Sequence, residues 1–379
     1  MTEPLDDATG LYIGLISGTS ADGIDAALVR FEHDKPQLVH ALTHAWPDAL
    51  RMQILRVAQD ETSLDLDAFG HLDVAIGQTF ADAVKALLVR SGTPSSSVRA
   101  VGSHGQTIRH RPFGEHPFTL QIGNASVIAE HCDIDVVADF RSADVAAGGQ
   151  GAPLLPAVHA MLLNAPDHTR VVLNLGGIAN ITVLAADGQV LGFDTGPANG
   201  LMDAWCLRHH GEAFDRDGAF AASGQVDEEL LATLLDDPYF ALPPPKSTGR
   251  EHFHLGWLDA RLYSTSASSA DVQATLLELT ARSVAMAIDT HARDAKDVLL
   301  CGGGVHNRVL VQRLRELLQP RELNSTADYG VDPDYLEATA FAWLARQRLL
   351  GLPGNLPAVT GARGTRVLGA IHLAPRETH

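Results

Sequence analysis

The chain repeats one pattern of elements, and this duplication restricts its fold more than any other feature. The order hairpin, third strand, helix, strand, helix, strand begins at 11–31 and again at 170–188, about 160 residues later. In each copy a Gly-rich turn joins the first two β-rich runs. Strands separated by helices predict α/β layers with crossover helices. We therefore expect two α/β domains, 1–150 and 151–379, joined by a Gly-rich hinge near 146–166 and enclosing a ligand cleft.

Local signals position the single elements within these domains. Apolar periodicity and end signals predict helices over 66–90, 271–294, 308–318 and 335–350, with stops at Gly92 and Gly351. Between the predicted strands 98–102 and 118–123, the polar segment SHGQTIRH (103–110) is expected to be a loop. Asn124 is expected to cap a short helix.

Charge and cysteine content exclude several classes of function. The chain has 28 basic and 46 acidic residues, a net charge of −18, and its lysines are scattered. Nucleic acid and anionic membrane are therefore poor partners, although backbone N–H groups could still bind an anionic ligand. Three isolated cysteines argue against a disulfide framework or a thiolate metal site. Without an apolar leader or a long apolar run, we expect a cytoplasmic protein.

Three Gly-rich loops carry the clearest chemical signal: 18–23, 176–180 and 302–307. Glycine lets backbone N–H groups approach an anion, so two hairpin turns could hold a polyphosphate. The hydroxyls of Thr19 and Ser20 would add donors, and Asp22 and Asp25 could hold waters of a Mg²⁺. The alternative is a set of tight turns that need positive φ. The Walker A loop, the dinucleotide fingerprint and the protein-kinase signatures are all absent from the sequence.

Asp194 is the candidate catalytic group. It lies in GFDTGPANG, at the predicted end of a strand and just before a helix. A carboxylate there could deprotonate a hydroxyl group or a water molecule. The alternative interpretation is that Asp194 caps the following helix.

The motifs of the whole chain resemble one family. The chain is similar to the anhydro-N-acetylmuramic acid kinases, within the acetate/sugar kinase–Hsp70–actin superfamily. The matching segments run in order from 14 to about 362: GLISGTSADGIDAALV, GSHGQTIRH, QIGNAS, ADFRSADVAAGGQGAPLLP, LNLGGIANIT, GFDTGPANGLMDAW, KSTGREHF, LLCGGGVHN, EATAFAWLA and LPAVTGA. The departures are Ala21, where Leu or Met is usual, and Ala198, where Gly is common.

The resemblance implies a fold and an activity. The fold would be α/β, with two duplicated actin/sugar-kinase-like (ribonuclease H-like) domains around an ATP and substrate cleft. The enzyme would be an ATP- and Mg²⁺-dependent kinase and a homodimer. It would phosphorylate 1,6-anhydro-N-acetylmuramic acid and open its anhydro ring with water, in peptidoglycan recycling. Alternatives are another sugar kinase of this fold and a nucleotide-gated regulator or chaperone-like ATPase without sugar chemistry.

The resemblance also implies roles for single residues. Asp194 would be the general base, and Asp22 would hold the metal through water. The first domain would carry the first phosphate hairpin and most of the sugar site; the second would carry the other hairpin, the catalytic Asp and an adenosine loop. The residues expected to bind ATP are Gly18, Thr19, Ser20, Ala21, Asp22, Gly23, Ile24, Asp25, Gly176, Gly177, Asn180, Gly302, Gly303, Gly304 and Asn307. For the sugar, Arg141 would meet the lactyl carboxylate, and further contacts are expected from Gln106, Gln121, Asn124 and Glu337.

Overall fold

A computed structural model describes residues 10–18, 20–32, 35–59, 64–249, 252–262 and 267–375. The chain divides into two compact units. The first unit combines Met1–Val158 with Tyr335–His379, and the second is His159–Asp334. Each unit has its own sheet and its own apolar core.

The strands and helices are numbered along the chain. The strands are β1 (Gly10–Ser17), β2 (Ile24–Glu32), β3 (Lys35–His44), β4 (Val98–Arg111), β5 (Phe118–Ile122), β6 (Val136–Ala138), β7 (Arg170–Leu175), β8 (Ile178–Leu184), β9 (Val190–Pro197), β10 (Asp297–Cys301), β11 (Glu322–Ser325) and β12 (Ala370–His372). The helices are α1 (Asp48–Gln59), α2 (Leu66–Ser91), α3 (Ala125–Cys132), α4 (Ser142–Ala146), α5 (Leu155–Leu163), α6 (Asn199–His210), α7 (Ala219–Ala222), α8 (Glu228–Leu235), α9 (Pro238–Ala241), α10 (Leu255–Leu262), α11 (Ser269–His291), α12 (Arg308–Leu317), α13 (Leu336–Leu350) and α14 (Pro357–Thr360). Short 3₁₀ turns cover Ser95–Ser97, Arg216–Gly218, Gly303–His306 and Thr326–Tyr329.

The two sheets share one topology, which confirms the duplication predicted from the sequence. The order is β3-β2-β1-β4-β6 in the first unit and β9-β8-β7-β10-β11 in the second. In both sheets the first three strands form an antiparallel meander, and the next two run parallel to the first strand. In the first unit, β5 also pairs with β4, and β12 pairs with β6. The fold is thus α/β in two halves, as the resemblance implied.

The C-terminal segment belongs to the first unit, which differs from the expected division at 150/151. Helix α13 packs on β1, β2 and β4. Two glycines allow this close approach: a Cβ at Gly14 would collide with the carbonyl oxygen of Ala338, and one at Gly102 would collide with that of Phe341. The helix and the strands on which it packs are far apart in the sequence, so local sequence does not reveal this contact.

Most local predictions agree with the structure. Helix α2 ends at Gly92 and α13 at Gly351, both in the left-handed conformation, and Asn124 caps α3. The expected loop at 103–110 is wrong, because β4 continues through this segment to Arg111. The reason is a partner: the segment pairs antiparallel with β5, for example Gln106 with Ile122.

Candidate functional site

The first Gly-rich loop is the turn of a β-hairpin, as predicted. It joins β1, which ends at Ser17, to β2, which begins at Ile24. Within the turn, the amide of Ala21 donates to the carbonyl of Gly18 at 3.0 Å. Thr19 lies outside the described residues. Gly23 and Ser20 are partly exposed, so their backbone can meet a ligand.

The side chains in this turn are more restricted than the sequence suggested. Ala21 and Ile24 are fully buried, backbone included, so this arrangement leaves neither of these two expected ATP contacts open to a nucleotide. Ala21 has a φ of 48°, in the left-handed region. Its carbonyl accepts from Arg51 Nε at 2.8 Å, and Arg51 also binds Asp22 at 3.0 Å. Arg51 on helix α1 therefore holds this turn, a role that no motif in the sequence indicated.

Strand β4 brings polar side chains beside the first hairpin. Gln106 is fully buried, and its Nε2 donates to the carbonyl of Gly18 at 3.2 Å. Its Oε1, like Ser103 Oγ, is buried without a hydrogen-bond partner among the described residues. Buried polar atoms are normally satisfied, so these two atoms mark a place where a ligand or water could bind. Two residues assigned to different ligands, Gly18 and Gln106, are thus in direct contact.

Arg141 lies where β6 leads into α4, and its guanidinium is held from two sides. Its Nε donates to His104 Nε2 at 3.0 Å, and its Nη1 donates to the carbonyl of Gly151 at 2.7 Å. Burial lowers the pKa of Arg141 to about 10, while the charges of Glu337 and Asp144 raise it. The group therefore stays cationic at neutral pH, and an anion can approach it. Because His104 accepts this hydrogen bond, it is neutral, and burial holds its pKa well below the usual value.

Two other residues expected to bind sugar have structural partners. Asn124 Oδ1 accepts from the amide of Val127 as the cap of α3, and its Nδ2 donates to Asp73 at 2.9 Å. Gln121 donates to the hydroxyl of Thr107 on the neighbouring strand β4 and to that of Thr119 on its own strand β5. Both side chains already make hydrogen bonds within the fold. A sugar would therefore have to bind them in addition to these partners.

In the second unit the other two Gly-rich loops meet. Gly176 and Gly177 form the turn between β7 and β8, and their carbonyls accept from the amides of Asn199 and Ala198 at the start of α6. Gly302 follows β10 with a φ of 80°, and a Cβ there would collide with Asn174 Oδ1. This position therefore requires glycine.

The other residues of the loop 302–307 differ in their exposure to solvent. A Cβ at Gly303 would meet no atom within 4 Å, so its backbone faces open space, whereas Gly304 is buried against Leu175. Asn307 is also buried and caps α12, its Oδ1 accepting from the amide of Leu310 at 3.0 Å. Gly303 is thus the member of this loop best placed to offer a backbone N–H group.

Asp194 lies within β9, directly opposite Asn180 on β8. The cap position of α6 is Ala198, which makes no side-chain capping bond. The alternative interpretation of Asp194 as a helix cap is therefore wrong. Directly opposed side chains in an antiparallel pair lie about 5 Å apart, so Asn180 and Asp194 share one face of the sheet.

A segment far along the chain fixes Asp194 at three points. Its Oδ2 accepts from the amide of Thr248 at 2.9 Å, and its amide donates to the carbonyl of Lys246 at 3.1 Å. Its carbonyl accepts from the Tyr239 hydroxyl at 2.7 Å. A half-buried carboxylate held in this way has a fixed orientation, which a general base requires.

Lys246 and Tyr239 also set the electrostatics around Asp194. Lys246 Nζ lies 4.6 Å from the Tyr239 ring centroid and donates to the carbonyls of Tyr239 and Phe240. Burial lowers the pKa of Lys246, and the charge of Asp194 raises it. Burial and the same charge raise the pKa of Tyr239. Neither Tyr239 nor Thr248 is expected from the sequence as a partner of Asp194, although the motif KSTGREHF contains Thr248 and could have indicated this segment.

Two carboxylates near the first hairpin suit a magnesium ion that binds together with the phosphates of a nucleotide. In the part of the chain that the structure describes, no group of three or more His, Cys, Asp or Glu side chains could hold a metal ion. Mg²⁺ usually keeps several waters and binds one or two carboxylates plus substrate phosphates. Asp25 and Asp22 could serve in this way, although Asp22 shares its carboxylate with Arg51 and Asp25 accepts from the Thr43 hydroxyl at 2.6 Å. Among the described helices, none has the length and apolar character needed to cross a membrane.

Solved structures resemble the chain only distantly. An activator of 2-hydroxyisocaproyl-CoA dehydratase from Clostridium difficile is 11% identical, with a TM-score of 0.45, covering 90% of this chain and 96% of that one. A ROK family glucokinase from Streptomyces griseus is 15% identical, with a TM-score of 0.39, covering 89% and 100%.

Sequence comparison gives much closer relatives. An anhydro-N-acetylmuramic acid kinase of Xanthomonas campestris pv. campestris is 55% identical over 377 residues, covering 99% of this chain and all of that protein. The protein of the same name from Pasteurella multocida is 48% identical over 375 residues, covering 98% and 99%. The family model of anhydro-N-acetylmuramic acid kinase matches residues 10–374. With nearly complete coverage in both directions, the chain belongs to the anhydro-N-acetylmuramic acid kinase family.

Proposed function

We propose that this kinase transfers the γ-phosphoryl group of ATP to O6 of 1,6-anhydro-N-acetylmuramic acid as water opens the anhydro ring. The water oxygen bonds to C1, the C1–O6 bond breaks, O6 bonds to the γ-phosphorus, and ADP leaves. The proton of the water passes to Asp194. The products are N-acetylmuramic acid 6-phosphate and ADP, which suits a role in recycling cell-wall sugars.

The observation that carries this proposal is the fixation of Asp194 by Thr248, Lys246 and Tyr239. The anhydro sugar has no free hydroxyl at position 6, so an ordinary kinase would have no acceptor there. Attack by water at C1 is favoured because the ring oxygen stabilises positive charge on that carbon. A carboxylate of fixed orientation can take the proton of that water.

The glycine loops support the nucleotide part of the proposal. In the first unit, the turn Gly18–Gly23 would present backbone N–H groups to phosphates. In the second, the turn at Gly176 and Gly177 and the exposed Gly303 would do the same. Magnesium bound with the nucleotide supplies charge neutralisation of the phosphates. Asp22 through water, and Asp25 beside it, would hold that ion.

The sugar part of the proposal rests on residues of the first unit. Arg141 would pair with the lactyl carboxylate, because it is a cation already oriented by His104 and Gly151. Gln106, whose buried Oε1 has no partner among the described residues, would accept a hydrogen bond from the sugar. Glu337, close enough to raise the pKa of Arg141, would contribute a further acceptor.

The decisive experiment runs the reaction in ¹⁸O-water with ATP, Mg²⁺ and the anhydro sugar. The label is expected on C1, and the product phosphate ester is expected to keep the unlabelled bridge oxygen at O6. Label on phosphorus or on C6, with none on C1, would rule out this mechanism. In parallel, Asp194→Asn is expected to lower kcat by at least about 100-fold while ATP still binds.

We also propose that the chain acts as a cytoplasmic homodimer, as the family resemblance implied. Sedimentation equilibrium is the direct measurement for the oligomer. A mass equal to one chain across the working concentration range would contradict the dimer, and enzyme activity recovered outside the cytoplasmic fraction would contradict the location.

A further inference from the structure

Asp144 is a buried carboxylate for which the proposed chemistry has no use. It lies on α4, three residues after Arg141, and is fully inaccessible to solvent. Its Oδ1 accepts from Asn355 Nδ2 at 2.6 Å and from Thr360 Oγ1 at 2.7 Å. Its Oδ2 accepts from the amide of Gly151 at 2.8 Å. Fully burying a charged carboxylate is unfavourable, and such a group is retained when several strong hydrogen bonds satisfy it.

These hydrogen bonds join two segments that are distant in sequence. One is the Gly-rich loop 147–151, and the other is the C-terminal segment 355–363. Two backbone hydrogen bonds reinforce the connection. The amide of Gln150 donates to the carbonyl of Thr360 at 2.8 Å, and the amide of Arg363 donates to the carbonyl of Ala147 at 2.9 Å. A Cβ at Gly149 would collide with the Asp144 carboxylate, so the loop lies directly on this group.

The loop in turn holds Arg141. Gly151 uses its amide to bind Asp144 and its carbonyl to accept from Arg141 Nη1 at 2.7 Å. One peptide segment therefore links the buried carboxylate to the guanidinium. The charge of Asp144 also raises the pKa of Arg141 against the effect of burial.

We propose that Asp144, clamped by Thr360 and Asn355, is a positioning residue that sets the orientation of Arg141 for the carboxylate of the sugar. This inference rests on the proposed function, because it assumes that Arg141 meets that carboxylate. A guanidinium binds a carboxylate best through two parallel N–H···O bonds, which need a fixed plane. The clamp fixes this plane through Gly151, and it makes the C-terminal segment part of the sugar site.

Two Thr360 variants separate positioning from general stability. Thr360→Val removes the hydroxyl that binds Asp144 and keeps the shape, whereas Thr360→Ser keeps the hydroxyl. We expect Thr360→Val to raise the KM for the anhydro sugar about tenfold, with the KM for ATP within twofold and Thr360→Ser near wild type. Thr79→Val is the matched control: it removes a buried hydroxyl of the same unit that bonds only within α2, to Ala75 at 3.0 Å.

Asp144→Asn extends the test, because it places an amide donor in a carboxylate position on which three donors converge. We expect a larger rise in sugar KM than for Thr360→Val. With Arg141→Gln as background, Thr360→Val should cause no further change, since residues that act through one another are not additive.

Other outcomes overturn the inference in distinguishable ways. If Arg141→Gln raises the sugar KM and Thr360→Val does not, the clamp has no positioning role and the proposed function stands. Equal changes in the KM for ATP and sugar, with a lower Tm, would show that Asp144 is merely structural. An unchanged sugar KM in Arg141→Gln would remove both the clamp and the proposed role of Arg141.

Discussion

Substituting His159 should make the protein less sensitive to acid. His159 lies on α5, is fully buried, and shares a hydrogen bond with the Thr182 hydroxyl at 2.8 Å. Burial lowers its pKa from 6.5 to about 3. Well above pH 6.5 the ring is neutral in both folded and unfolded chains, so it adds no pH dependence there. As the pH falls from 6.5 towards 3, the unfolded chain binds a proton that the folded chain cannot, and stability is lost.

The size of the effect follows from these two pKa values. Between pH 7.5 and pH 5 the difference in proton binding amounts to about 2 kcal/mol of unfolding free energy. His159→Gln keeps a polar group near Thr182 but does not titrate. We therefore expect the wild type to lose about 2 kcal/mol more than His159→Gln over this pH range.

Urea unfolding followed by tryptophan fluorescence at both pH values measures this difference. Buried His104 also has a lowered pKa, but it is present in both proteins, so its contribution cancels. Equal losses of stability in wild type and variant would show that His159 is protonated in the fold, and the reasoning from burial would fail.

Two further predictions concern contacts described above. Tyr239→Phe removes the hydroxyl that donates to the Asp194 carbonyl. Steady-state kinetics should show kcat about tenfold lower, with the KM for ATP and the KM for the sugar each within twofold of wild type. An unchanged kcat would refute the role of this contact. Gly14→Ala places a Cβ against Ala338 and should lower the unfolding free energy by about 3 kcal/mol. The control is Gly70→Ala in α2, whose Cβ would meet no atom within 4 Å and which should not lower the unfolding free energy. Thermal unfolding compares the two variants, and equal Tm values would contradict the close packing.

The sequence was sufficient to predict a structural feature wherever that feature depends on nearby residues. Gly92 and Gly351 end their helices because glycine adopts the left-handed conformation there, and Asn124 caps α3 with its own side chain. The duplicated order of strands and helices is likewise visible along the chain. These features depend on residues a few positions apart.

The errors and omissions involve partners outside the local segment, and most of these partners are far away in the sequence. Segment 103–110 is polar, but its ladder with β5 makes it a strand. The fixation of Asp194 depends on Tyr239 and Thr248, 45 and 54 residues away. Asp144 finds Thr360 at a separation of 216 residues. Periodicity and turn chemistry hold no information about such pairs.

The packing of α13 on Gly14 and Gly102 has a consequence for biosynthesis. On a ribosome, β1 and β4 leave the exit tunnel long before the helix that must cover them is translated. The second unit is continuous in sequence, from His159 to Asp334, so it can complete its core first. The first segment made is therefore the last to finish folding, and its bare sheet would be a natural client for a chaperone during translation.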